Sequence, residues 1–280
     1  MTTGALIFAF NNEHTDYVAL AAWSAERINR HLKIPVAVVT NDTEQAARYS
    51  RFDRIIAAEA STGGIRWFED YQSSVTWHNA GRVDAYLLSP WQRTLVLDAD
   101  YVVNSSDLGS VLALDTDFLC FRQAYNICDP DTAFLDAYGR FRMPMSWATV
   151  MLFRRCTTTD WIFQSMTMIR RNWQHYRDLY GIAETNYRND YALSIALSLV
   201  NGSTAHVQSI PWSMATVLPT HKLSWHSVGS DDFWTIQYHD TNNKLREVSM
   251  WGVDFHAMGK RDLGDIVAGR TRLSDNSSQL

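Results

Sequence analysis

Asp98 and Asp100, in the stretch Arg93-Thr-Leu-Val-Leu-Asp-Ala-Asp-Tyr-Val-Val103, are the side chains in this sequence best suited to chemistry. A short apolar run of the kind found in buried parallel strands ends at them abruptly. Ligands of α/β sheets sit beyond the carboxyl ends of strands, and unpaired buried charge is costly. A hard divalent cation carrying a diphosphate would give both carboxylates a reason to be there. The plain alternative is a strand-to-turn junction at which Asp98 caps a helix start. The same D-x-D spacing recurs at Asp115-Thr-Asp117 and Asp129-Pro-Asp131, where no strand pattern leads in; both read as solvated loop or turn carboxylates.

The elements that must position these groups alternate. Ala5–Phe10 reads as a central first strand. A helix capped by Thr15 or Asp16 runs to about Arg30, with Val18, Ala21, Ala22, Ala25 and Ile28 on its inner face. Strands follow at Val36–Thr40 and Arg54–Ala58, a helix at Val75–Leu88 stopped by Ser89-Pro90, and then the strand ending at Asp98. Further strands are expected at Phe118–Phe121, Ala148–Phe153 and Ala205–Ile210, with helices at Asp160–Trp173 and Glu184–Leu199. Such alternation implies an α/β fold, a mostly parallel sheet flanked by helices. Residues 1–218 read as a single core. Residues 219–273 read as an irregular extension folding over the site, and residues 274–280 as a flexible tail.

At 280 residues, 46% hydrophobic and 20% charged, the chain has the composition of an ordinary globule able to bury a full core. A net charge of -5 gives no global basic field for nucleic acid or membrane. Cys120, Cys128 and Cys156 show no C-x-x-C spacing, which fits a reducing compartment with neither a disulfide framework nor a zinc site. The first residues lack the basic region of a secretory signal, and no apolar stretch reaches membrane-spanning length. A cytoplasmic location is the expectation.

Several local strings, together with the order of elements, resemble glycosyltransferases of the GT-A (Rossmann-like) fold, closest to the glycogenin-like and bacterial lipopolysaccharide galactosyltransferase family. Asp98 and Asp100 match that family's metal-holding D-x-D, and Ala99 lies between them. His256-Ala-Met-Gly-Lys260 resembles the C-terminal His-x-x-Gly string that supplies a third metal ligand and a phosphate-binding lysine. Here Lys260 follows Gly259 directly, and no Pro-Trp pair comes after. The resemblance implies Mn²⁺, with Mg²⁺ as an alternative, on Asp98, Asp100 and His256, a donor set of suitable hardness. It implies a donor site at Phe10, Asn11, Tyr17, Arg82, Ala99, Gly259 and Lys260, with base stacking by Phe10, His14 or Tyr17. Asn189-Asp-Tyr-Ala-Leu-Ser194 resembles the string beside the reacting carbon and gives Asn189 and Asp190 catalytic positions. Trp147 and Thr149 replace the family's usual Asn and Gly at the sugar pocket.

The resemblance thus implies transfer of a hexose, glucose or galactose, from a UDP-sugar to an acceptor hydroxyl with retention. The acceptor stays open between a glycan, a protein side chain and a hydroxymethylated DNA base, as does the oligomeric state. Two rivals stand beside this reading. A nucleotidyltransferase would want a Gly-rich basic loop after the first strand, where Asn11-Asn12-Glu13 stands instead. A degenerate nucleotide-sugar or carbohydrate-binding protein is the other.

Overall fold

Thr3–Phe8 forms the centre of a six-stranded sheet ordered 54–57, 36–40, 3–8, 93–98, 147–154, 118–121. Its partners on either side, Val36–Thr40 and Arg93–Asp98, run parallel to it, and Arg54–Ala57 continues the parallel set. Trp147–Arg154 pairs antiparallel with both of its neighbours, so it alone in this sheet runs against the rest. The computed structural model describes residues 2–134, 136–202, 209–228 and 231–269. The expected tail at 274–280, the end of the closing segment at 270–273 and most of the expected strand at 205–210 lie outside the described residues.

The apolar runs are strands because both faces of the sheet are covered. Ala5, Leu6, Ile7, Val36 to Val39 and Leu95 to Leu97 are all fully buried. Each such Val, Leu or Ile side chain contributes about 1.5–3 kcal/mol by leaving water. The helix Tyr17–Leu32 lies against this sheet on the expected face, with Val18, Ala21, Ala22, Ala25 and Ile28 buried. It starts where Asp16 accepts a hydrogen bond from the Ala19 amide at 2.9 Å, and it ends at Lys33 in the left-handed region.

The expected helix at Val75–Leu88 is corrected. Ser73–Thr76 is a strand, paired antiparallel with Ile65–Phe68 as a hairpin. Bonds from Gly63 N to Trp77 O (2.8 Å) and Trp77 N to Gly64 O (2.9 Å) prolong the ladder. Val75, Thr76 and Trp77 are β-branched or aromatic and favour this pleated surface. Only Ala80–Asp84, a 3₁₀ turn, and Ala85–Leu88 are helical.

The C-terminal segment is also more regular than expected. Lys222–Val228, Asp231–His239 and Leu245–Trp251 make a three-stranded antiparallel sheet. Its alternation sends Leu223, Trp234, Ile236 and Met250 inward, while Leu245 and Trp251 face water. A polar knot docks it on the core. Arg27 pairs with Asp232 at 2.8 Å and donates to the Val103 carbonyl, and Arg27 and Trp234 Nε1 both donate to Asn104 Oδ1. After this sheet the chain re-enters the core. Phe255–Ala257 joins a second sheet of five strands, ordered 129–133, 124–126, 214–217, 255–257, 101–102. No helix among the described residues is long and apolar enough to cross a membrane.

Asp254 sits at this re-entry. Its Oδ1 accepts from the amides of Asn104 and Ser105, both at 2.7 Å, while Oδ2 is buried with no hydrogen-bond partner among the described residues. Burial pushes its carboxyl up to about 6. In the unfolded chain it would titrate near 4. Between about pH 4 and 6 the unfolded chain therefore releases a proton that the native state retains, so stability falls as pH rises through that window. Asp254→Asn should gain about 1–3 kcal/mol over the wild type near pH 7 and lose that advantage near pH 4. Urea unfolding at the two pH values measures it; a difference independent of pH would refute it.

Candidate active site

Asp98 is the last residue of its strand, and register sets it beside Phe8 of the first strand. The chain then turns through Ala99, and Asp100 enters Tyr101–Val102. Across that short strand lies Phe255–Ala257, antiparallel, with His256 opposite Tyr101 and the Ala257 amide donating to the Asp100 carbonyl at 3.0 Å. This pairing brings together residues from opposite ends of the sequence. One ligand atom each from Asp98, Asp100 and His256 lie within 4.8 Å of one another, and no other such triad assembles among the described residues. His256 Nδ1 is buried without a partner there, and Nε2 is 3.5 Å from Asp100 Oδ2. Two carboxylates and an imidazole at this spacing fit a divalent ion that prefers oxygen and nitrogen.

The other D-x-D strings are elsewhere. Asp115 and Asp117 lie at the surface, paired to Arg154 at 2.9 and 2.5 Å. Asp129 opens an edge strand and is exposed, so it is a strand residue rather than the turn residue expected.

Cations already face both metal-site carboxylates. Arg82, almost fully buried, pairs with Asp98 through Nη2 and donates from Nη1 to the Ala148 carbonyl at 2.7 Å. Burial lowers its guanidinium to about 10 against the opposing pull of Asp190 and Asp100, and it remains charged at neutral pH. Lys260 Nζ pairs with Asp100 and donates to the Met258 carbonyl at 2.8 Å. Burial alone would push the Asp100 carboxyl up; Lys260 and His256 outweigh it and hold that carboxyl far below the usual carboxylate range.

These groups open onto a cavity of about 360 Å³. Phe10, Tyr17, Trp147, Thr149, Asn189 and Asp190 are among the residues that line it. Asp190 is tightly held: Oδ1 accepts from the Ala148 amide at 2.8 Å and Oδ2 meets Arg188 at 3.0 Å. Burial opposes ionisation, but Arg188 and the Ala148 amide prevail and lower the carboxyl. Asn189 donates to the Asn79 carbonyl at 2.9 Å and accepts from the Tyr187 hydroxyl.

Of the residues expected to bind donor, Phe10, Tyr17, Arg82, Ala99 and Lys260 line the cavity. Asn11 does not: its amide donates to Gln45 and its oxygen accepts from Val18 N, while Asn12 reaches the wall instead. Gly259 lies to the side, against Pro219. Sequence reasoning missed the hairpin. Arg66, Trp67 and Trp77 also line the cavity, and Asp70 at the hairpin turn accepts from the amides of Lys260 and Arg261. The hairpin's four-residue strands, Ile-Arg-Trp-Phe and Ser-Ser-Val-Thr, carry no period long enough to serve as a local signal.

The chain matches no protein-family model and no curated protein. Among solved structures it is similar to the glycosyltransferase GlyE of Streptococcus pneumoniae TIGR4, at 16% identity and a TM-score of 0.42 over 75% of this chain; the chain spans only 45% of GlyE. It is also similar to the galactosyltransferase LgtC in complex with donor and acceptor sugar analogues (14%, TM-score 0.45, 69% of this chain and 70% of LgtC). A third is mouse xyloside xylosyltransferase 1 (13%, TM-score 0.46, 78% of this chain and 88% of that one).

The geometry yields a direct test. Asp100→Asn and His256→Ala should each weaken Mn²⁺ binding by about tenfold or more, by analogy with the sensitivity of metal sites to their supporting groups. Asp115→Asn and Asp117→Asn should leave it unchanged. Titration calorimetry on folded variants measures this, and equal losses in both sets would remove the site from Asp98 and Asp100.

Proposed function

We propose that this chain is a divalent-metal-dependent glycosyltransferase that moves a hexose, glucose or galactose, from a UDP-sugar to an acceptor hydroxyl with retention. The observation that carries this reading is the meeting of Asp98, Asp100 and His256 at the end of a parallel strand, with Arg82 and Lys260 beside them and a cavity that Asp190 also lines. Cleaving a nucleotide-sugar leaves negative charge on the diphosphate, and preorganised cations there lower the barrier. Asp98, Asp100 and His256 would hold Mn²⁺ or Mg²⁺, which when bound neutralises phosphate oxygens.

This chain's own residues supply the rest. Lys260 supplies a cation for the departing phosphate, and Phe10 and Tyr17 offer aromatic faces to a base. Asp190, ionised and fixed through both oxygens, is a weak proton acceptor. It suits instead the stabilisation of positive charge growing at the anomeric carbon. The buried wall formed by Trp147 and Thr149 bounds the space left for the sugar.

A second reading, a nucleotide-sugar or carbohydrate-binding protein without turnover, draws on the same ion pairs. Arg82 and Lys260 already balance Asp98 and Asp100, so the site is electrically satisfied with protein groups alone.

UDP with Mn²⁺ should raise the melting temperature, since a ligand that binds only the folded state stabilises it, and a chelator should remove most of the shift. UDP-glucose or UDP-galactose incubated with the protein and Mn²⁺ should slowly release UDP. Binding without release selects the second reading, release of the sugar 1-phosphate in place of UDP selects a nucleotidyltransferase, and no uridine-specific shift refutes the donor assignment.

A further inference from the structure

Four cationic side chains border the cavity, and three have a carboxylate against them: Arg82 with Asp98, Lys260 with Asp100, Arg188 with Asp190. Arg66 has none among the described residues. Its one hydrogen bond there runs from Nη2 to the Tyr187 carbonyl at 2.8 Å, and its guanidinium carbon lies over the Trp77 ring, 3.5 Å from the centroid. Most of its N–H fork is left without a protein acceptor.

The position is constructed. Asn186 Nδ2 donates to the Ile65 carbonyl at 2.6 Å, so the hairpin is tied to the 186–188 loop at Ile65 and at Arg66 itself. The carbonyl that Arg66 grips belongs to the residue directly before Arg188, and the Arg188 charge acts on the Arg66 guanidinium. Burial, followed by Arg188, lowers Arg66 to about 10, so it is charged at neutral pH. Two adjacent cations repel unless an anion lies between them. Asp190 is ion-paired with Arg188 and acts on Arg66 only through space. Both arginines line the cavity.

We infer that Arg66 and Arg188 form an oxyanion subsite for a carboxylate or phosphate group carried by the acceptor sugar. The inference rests on the proposed function for the word acceptor, and on the arginine pair alone for the anion. A planar guanidinium held by an aromatic face is preorganised for two-point contact with carboxylate or phosphate oxygens. A carboxylate on the transferred sugar itself, a uronic acid, would offer the same chemistry from the donor side.

Quenching of tryptophan fluorescence reports the site, because Trp67 and Trp77 line it. The probes are glucose, glucose 6-phosphate and glucuronate, titrated with and without UDP and Mn²⁺. The wild type should bind the two anionic sugars at least about tenfold more tightly than glucose, a margin in the range of a charge-assisted hydrogen bond. Arg66→Met should erase that preference and Arg66→Lys should restore part of it; melting temperature verifies that each variant is folded. UDP-glucuronate and UDP-glucose binding equally, with glucose 6-phosphate still binding beside UDP, places the anion on the acceptor. Tighter binding of UDP-glucuronate that Arg66→Met removes overturns the acceptor assignment and moves the anion to the donor. Equal binding of glucose and glucose 6-phosphate by the wild type overturns the subsite, as does a preference that survives Arg66→Met. His256→Ala separates the two readings: it should abolish Mn²⁺-dependent UDP binding and keep the preference for anionic sugars.

Discussion

Asp100 is a carboxylate held almost out of water, and its environment organises the site. A lone buried carboxylate would take up a proton or destabilise the fold. Here the C-terminal strand answers it with an imidazole and, four residues later, an ammonium. Both groups arrive because the backbone of Phe255–Ala257 pairs with Tyr101–Val102, a ladder needing no particular side chain. The charge at Asp100 and the return of the distant segment depend on each other. The polar knot of Arg27, Asp232 and Asn104 anchors the sheet preceding that return.

Much of this was legible in the sequence wherever a local pattern dictated the structure. The run before Asp98 is buried on both faces, and the helix after Asp16 shows its core stripe at helical spacing. His256 and Lys260 could be singled out only through a resemblance, since nothing local distinguishes them from other polar residues. The hairpin at Ile65–Phe68 was invisible for a different reason. Its strands are four residues each, too short to establish a period, and Val75 to Leu88 carries enough apolar residues to imitate a helix. In the C-terminal sheet the alternation was present in Phe233-Trp-Thr-Ile-Gln-Tyr, but its dense aromatic and polar content masked it. Asn11 lies off the cavity lining because its amide is spent on fixing the loop, which only the fold reveals.

The hairpin also joins parts of the site that are otherwise separate. Arg66 reaches toward the 186–188 loop, while Asp70 binds the amides of Lys260 and Arg261. The hairpin is therefore fastened to the segment that supplies the metal-side cation and to the loop that precedes Asp190. A displacement of its tip would be felt at Lys260 through the main chain.

The antiparallel strand Trp147–Arg154 has a consequence of another sort. One residue, Ala148, receives Arg82 on its carbonyl and gives its amide to Asp190, so the separation between the positive and negative groups is set by a single peptide repeat. A spacing written in main-chain atoms is sheltered from ordinary genetic drift. Any side chain small enough for the position leaves it intact, and only proline, which lacks the N–H, would erase the acidic end of the gauge.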